Sequence, residues 1–245
     1  MTTKSLERPK LEYPDSDGLP MAENTKQFRW IVTIKEGLDA LFRADPQVFV
    51  AGDLFWYPTE GEPTIRVAPD VLVAFGRPKG DRGSYMQWEE GGIAPQVVFE
   101  VLSPGNRAGE MSAKREFYET HGVEEYYLYD PDENTLEGWL RFGDRLRPID
   151  LKEGWTSPRL GVRFELPATG LRLIRPDGRA FETYEELDVR AEAERERAEQ
   201  ERERAEQERE RAEQERERAE QERERADRLA ARLRAMGVDP DALDF

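Results

Sequence analysis

The spacing of apolar residues changes period several times along the chain, and each change marks an element. From Thr25 onward Phe28, Ile31, Val32, Leu38, Leu41 and Phe42 recur at helical spacing, which predicts an amphipathic helix. Its opening, MAENTKQ, offers Asn24 or Thr25 as the N-cap. PQVFVAGDLFWYP then reads as a strand or two, and TIRVAPDVLVAF as another. A charged, glycine-containing loop, RPKGDRGSYMQWEEGGIA, precedes the strand in PQVVFEVLSPGN. SAKREFYETHG predicts a short helix closed by Gly122 at the C′ position. EEYYLYDP and TLEGWLRF read as neighbouring strands around the turn DPDEN, with further strands in GVRFEL and LRLIRPDGRAF. Asp177-Gly178 marks a hairpin turn in the last of these. Helix, strands, helix and more strands in that order predict an α/β domain ending near residue 185.

Beyond it the pattern is of another kind. AEQERER occurs four times unchanged, from Ala198, Ala205, Ala212 and Ala219, with AEAERER before it at Ala191. The period is seven, yet the only apolar position per heptad is an alanine, whereas a stable coiled coil wants two. Pairs such as Glu199–Arg202 and Arg202–Glu206 support a single helix by many small gains. A solvated single helix and a weak oligomerising coil both fit, and Leu229, Leu233 and Met236 form a short apolar stripe near its end. The expected division is therefore an extended N-terminal segment (1–24), a folded domain (25–187), a charged heptad-repeat helix (188–236) and a C-terminal extension (237–245).

Charge and composition then narrow the chemistry. Residues 190–234 hold 14 Arg against 16 Asp or Glu, a net −2, so the rest carries −14 of the total −16. An acidic body disfavours nonselective adhesion to nucleic acid. With no cysteine and one histidine, His121, any metal must be held by oxygen ligands, which favours Mg²⁺, Mn²⁺ or Ca²⁺. The N-terminus lacks an apolar segment of signal or membrane-spanning type, so a cytoplasmic protein is expected.

One residue breaks the apolar pattern where it is strongest. Alternation in QVVFEVL puts Val97, Phe99 and Val101 on one side and Val98, Glu100 and Leu102 on the other. A carboxylate aimed into a packed face is costly unless a cation or metal meets it. Asp70 stands at the start of the preceding strand, where Pro69 interrupts pairing and side chains are redirected. Lys114 shares the inward face of the next helix with Met111, Phe117, Tyr118 and His121. One lysine beside one buried carboxylate is a structural ion pair; two carboxylates and a lysine converging make an oxygen-ligand metal site for phosphodiester hydrolysis. Both readings stand on spacing alone.

APDVLVAF, QVVFEVLSPGN and KREFYETHGVEEYYLYDP, in that order, resemble the successive blocks of the Uma2 family (formerly DUF820) over about residues 20–180. That family is placed in the PD-(D/E)XK restriction-endonuclease-like superfamily. The resemblance implies a mixed β-sheet core flanked by helices, here followed by the long charged helical tail. It also implies Asp70 and Glu100 as metal ligands, with Glu23 resembling an acidic position at the head of the first helix. The superfamily's third signature position is Leu102 rather than lysine, so Lys114 would be its replacement; an aspartate that members often carry four residues before that lysine is Glu110 here. The expectation is a Mg²⁺- or Mn²⁺-dependent endonuclease with DNA as substrate and Asp70, Glu100 and Lys114 as catalytic residues. Its rivals are a catalytically idle scaffold that binds partners or itself through the 188–236 helix, and a metal hydrolase of small phosphoesters.

Three further features carry less. Ser103 has no acid–base histidine beside it, and SPGN reads as a turn or cap. His121 lies at a helix C-terminus, where a cation is favourable. Arg77, Lys79 and Arg82 offer either a basic rim for phosphates or an ordinary solvated loop.

Overall fold

A computed structural model describes residues 12–16, 18, 22, 24–105, 108–151 and 154–236. The chain forms two units, residues 1–184 and 185–245.

In the first unit, α1 (Thr25–Leu41) opens on Asn24, whose side chain accepts from the Gln27 amide as an N-cap. Its buried stripe is Gln27, Ile31, Ile34 and Leu38. Phe28 was expected on that stripe and is 48% exposed. It stands one residue, about 100°, round the helix from the i, i+4, i+7, i+11 row that meets the sheet.

Six strands make one mixed sheet in the order β1 (Val48–Gly52), β3 (Val71–Phe75), β5 (Val97–Val101), β6 (Glu125–Asp130), β7 (Thr135–Phe142) and β8 (Arg145–Pro148). All neighbours are antiparallel except β5 and β6, which α2 (Ala108–Thr120) connects as a crossover. A short parallel pair joins β2 (Trp56–Tyr57), within the stretch that reads as a strand or two, to β4 (Tyr85–Met86), which lies in the stretch that reads as loop. A three-stranded sheet joins β9 (Trp155–Thr156), β10 (Arg163–Glu165) and β11 (Arg172–Ile174). The long strand expected in TIRVAPDVLVAF is reduced to β3, because Pro69 has no N–H for a ladder; Val67 instead bridges to Trp56.

The central strand β5 is buried on both faces, and its alternation divides the interior. Val97, Phe99 and Val101 pack with Ile31, Ile34 and Leu38 of α1, with Phe164 and Leu173 of the small sheet, and with Leu171 just before β11. Val98 packs on the other face with Met111 and Tyr118 of α2 and with Trp56, Tyr126 and Trp139. Gly37 of α1 is required by contact: a Cβ there would lie 2.2 Å from Phe181 Cδ2. Among the described N-terminal residues, Tyr13 rests against Tyr57 and Trp88, and Tyr57 Oη donates to Pro14 O at 2.6 Å.

The second unit is carried by α3 (Tyr184–Ala235), 52 residues long and without a buried residue. At 1.5 Å per residue it extends about 78 Å. Arg190–Glu194 and Glu224–Arg228 pair along it at i, i+4. Among the described residues no helix is long and apolar enough to cross a membrane.

Candidate active site

Glu100 is 2% exposed, and two side chains of α2 meet it. Lys114 Nζ donates to Oε2 at 2.8 Å and lies 3.4 Å from Ala68 O. The Tyr118 hydroxyl donates to Oε1. Lys114 and Tyr118 stand four residues apart, so one helical turn brings both onto the same carboxylate. Tyr118 is wholly buried, its ring parallel to Trp56 and in contact with Tyr126 and Phe117.

Asp70 directly precedes β3 and is buried. Val71 pairs with Phe99, so one step further Asp70 stands opposite Glu100, and directly opposed residues share a face. Pro69 cannot continue the ladder, and Asp70 Oδ2 accepts the Val101 N–H at 2.6 Å in its place. Gln27 holds the next peptide, donating to Val101 O at 2.8 Å. On β1 the same row continues: Gly52 pairs with Val71, and the Asp53 N–H donates to Asp70 O at 3.2 Å. Asp53 adopts φ +47°, a left-handed conformation that aspartate tolerates better than most residues. Asp53, just after β1, and Asp70, just before β3, are thus neighbours at the strand ends, and the charges of Asp53 and Glu100 both act on Asp70.

The electrostatics follow from this crowding. Burial, and then the charge of Glu100, push the Asp70 carboxyl well above the usual range, against the pull of Lys114 and the Val101 N–H. Burial opposes the charge on Lys114, but Glu100 and Asp70 outweigh it and raise its pKa. Lys114 is therefore a firm cation facing two carboxylates. Glu110, in the first turn of α2, adds to that effect.

The sequence-derived set is brought together in part. Asp70, Glu100 and Lys114 converge. Glu23 lies outside the described residues. The sequence marks Tyr118 only as an inward-facing residue, and the signal for its role is its place four positions after Lys114. Asp53 and Gln27 gave no comparable signal, since strand register and a tertiary contact define their positions. Ser103 is buried after β5. His121 packs on Phe117 and Trp56, where burial lowers its pKa; the cation expected at the helix end is disfavoured there. The charged loop, open to two readings in the sequence, has partners of its own. Arg77 Nε and Arg82 Nε both bond Glu90, at 2.7 and 2.6 Å, while Lys79 Nζ donates to Val48 O. These cations lock their own loop.

A family model, Uma2, described as "Putative restriction endonuclease", matches residues 5–169, more than half of the chain. The chain belongs to the Uma2 family. The mixed sheet flanked by α1 and α2 and followed by a long charged helix is the architecture expected from the sequence. The Uma2 match ends before α3, so the heptad helix lies outside the matched residues. Among solved structures, a protein of Anabaena variabilis described as a "putative nuclease belonging to DUF820" is 18% identical; the match covers 54% of this chain and 70% of that one, with a TM-score of 0.40. No curated protein matches the Uma2 chain.

Proposed function

We propose that this Uma2 protein is a metal-dependent endonuclease that hydrolyses DNA phosphodiester bonds, with Asp70 and Glu100 holding Mg²⁺ or Mn²⁺ beside Lys114. The observation that carries this reading is Glu100 itself, a buried carboxylate in an apolar strand that faces a lysine and stands in one row with Asp70.

The donor set suits such an ion. Hard divalent cations take oxygen ligands, and here two carboxylates press on each other in a desolvated place with the Lys114 ammonium to offset them. Among the described residues no cluster of three acidic, His or Cys side chains forms a metal site, so Asp70 and Glu100 would be the acidic share of those residues. Glu23 is a further ligand in this reading. Such an ion, when bound, polarises a phosphoryl oxygen and lowers the pKa of water. The chain's own residues supply the rest. Tyr118 fixes the Glu100 carboxylate, the Val101 N–H fixes Asp70, and Lys114 orients the attacking water or neutralises charge growing on the phosphoryl oxygens.

The test is cleavage of plasmid and short linear DNA by the purified chain with Mg²⁺ or Mn²⁺ at low salt. Activity is expected to need the metal, to fall steeply with salt, and to drop at least about 100-fold in Glu100→Gln and Asp70→Asn. Lys114→Ala should lower kcat more than it raises KM. The acidic body and the tying of Arg77 and Arg82 to Glu90 favour a second reading, a nuclease-fold protein that binds partners without turnover. Absence of cleavage across DNA lengths, metals and salt concentrations would select it.

A further inference from the structure

The two oxygens of Glu100 have different kinds of partner. Oε1 accepts the hydroxyl of Tyr118, a wholly buried ring parallel to Trp56 at 6.4 Å and packed on Tyr126 at 5.2 Å. That hydroxyl cannot withdraw without opening the core between α2 and the sheet. Oε2 accepts Lys114 Nζ at 2.8 Å. Lysine carries its charge on a flexible four-carbon stem, and this side chain keeps 20% of its surface exposed against 2% for Glu100. One oxygen is therefore locked, and the other is held by the one partner able to move.

A cation shared by Asp70 and Glu100 meets a fixed donor at Oε1 and a donor that can withdraw at Oε2. We propose that Lys114 is the resident cation of this carboxylate pair and competes with the divalent ion for Glu100 Oε2, so that it sets the ion affinity of the site. The inference rests on the metal reading above and adds to it a second part for the lysine. Without the ion, the ammonium at 2.8 Å from Oε2 and 3.4 Å from Ala68 O keeps the desolvated carboxylates compensated. With it, Lys114 leaves Oε2 and is delivered to the reacting phosphate side of the site. Metal loading and placement of the lysine are then one event.

Mn²⁺ titration calorimetry on the full chain tests this, comparing wild type with Lys114→Met and Lys114→Arg, with thermal melts to check folding. Lys114→Met should bind Mn²⁺ at least about tenfold more tightly than wild type, because the competing charge is gone. Lys114→Arg, which keeps the charge, should stay near wild type. Unchanged or weaker binding by folded Lys114→Met would overturn the competition and leave the metal site standing. No Mn²⁺ binding by wild type or variant would overturn the metal reading itself. A second measurement needs no variant: the rate at which an amine-reactive ester labels Lys114 in the wild type, followed by mass spectrometry. Mn²⁺ should increase that rate as the ammonium leaves Glu100; an unchanged or slower rate would contradict the proposal.

Discussion

Two carboxylates with nearly the same burial sit on adjacent parallel strands and face opposite sides of the sheet. Glu100 of β5 is 2% exposed and Glu125 of β6 is 1% exposed. Glu125 Oε1 accepts the Arg159 N–H at 2.7 Å, and Oε2 accepts the hydroxyls of Tyr127 and Ser157. Each of these donors is neutral and anchored in strand or turn. Burial raises the Glu125 pKa, and the three hydrogen bonds counter it only partly. Glu125 is thus a closed clasp that ties the three-stranded sheet to the main one. Glu100 shares its two oxygens between a fixed tyrosine and a cation on a flexible stem. Burial of a carboxylate does not by itself mark a functional site. What separates the two is whether a donor can be exchanged.

This contrast is exposed to failure first in stability. Glu125→Gln turns an acceptor oxygen into an amide donor among three donors, one of them a backbone N–H that cannot rotate. It should cost about 3 kcal/mol in urea titrations. Glu100→Gln should stay within about 1 kcal/mol of wild type, since it removes a charge from the crowded row. Equal costs would erase the distinction.

Gly37→Ala disturbs the Glu125 side of the sheet alone, driving a methyl into the Phe181 ring. A loss of about 2 kcal/mol is expected, with Mn²⁺ affinity unchanged. A change in affinity would show that the two faces are coupled.

Glu90 is the intermediate case, a clasp made of charge. Burial works against its ionisation, but Arg82 and Arg77 outweigh burial and lower its pKa. Its stabilisation is therefore present above the ordinary glutamate value of 4.5 and is lost as pH falls through the lowered folded-state value. Glu90→Gln should cost about 1–2 kcal/mol at pH 7, with a difference from wild type that closes on acidification. A difference that widened toward low pH would reverse the assignment.

How far this was legible in the sequence depends on the range of the cause. Glu100 announced itself because local alternation places it on a buried face, and Lys114 because helical spacing puts it inward. The exposure of Phe28 and the brevity of β3 depend on which helix row meets the sheet and on Pro69. β4 is a two-residue pairing whose partner is supplied by the fold, whereas β8 is local and its signal was the Gly143-Asp144 turn. Tyr85 pairs with Trp56 in parallel, and Arg145 closes a tight turn back onto Phe142. The Arg77–Glu90–Arg82 clasp looked like a free basic loop because its acid lies thirteen and eight residues further on and meets the cations only after folding.

The most direct test of the central claim is Mn²⁺ binding measured by titration calorimetry on three proteins, the wild type, Glu100→Gln and Glu125→Gln, each confirmed to be folded. A divalent site built on the exchangeable carboxylate predicts saturable binding by wild type and by Glu125→Gln, and its loss in Glu100→Gln. Binding that survives Glu100→Gln, or that disappears only with Glu125→Gln, would contradict it.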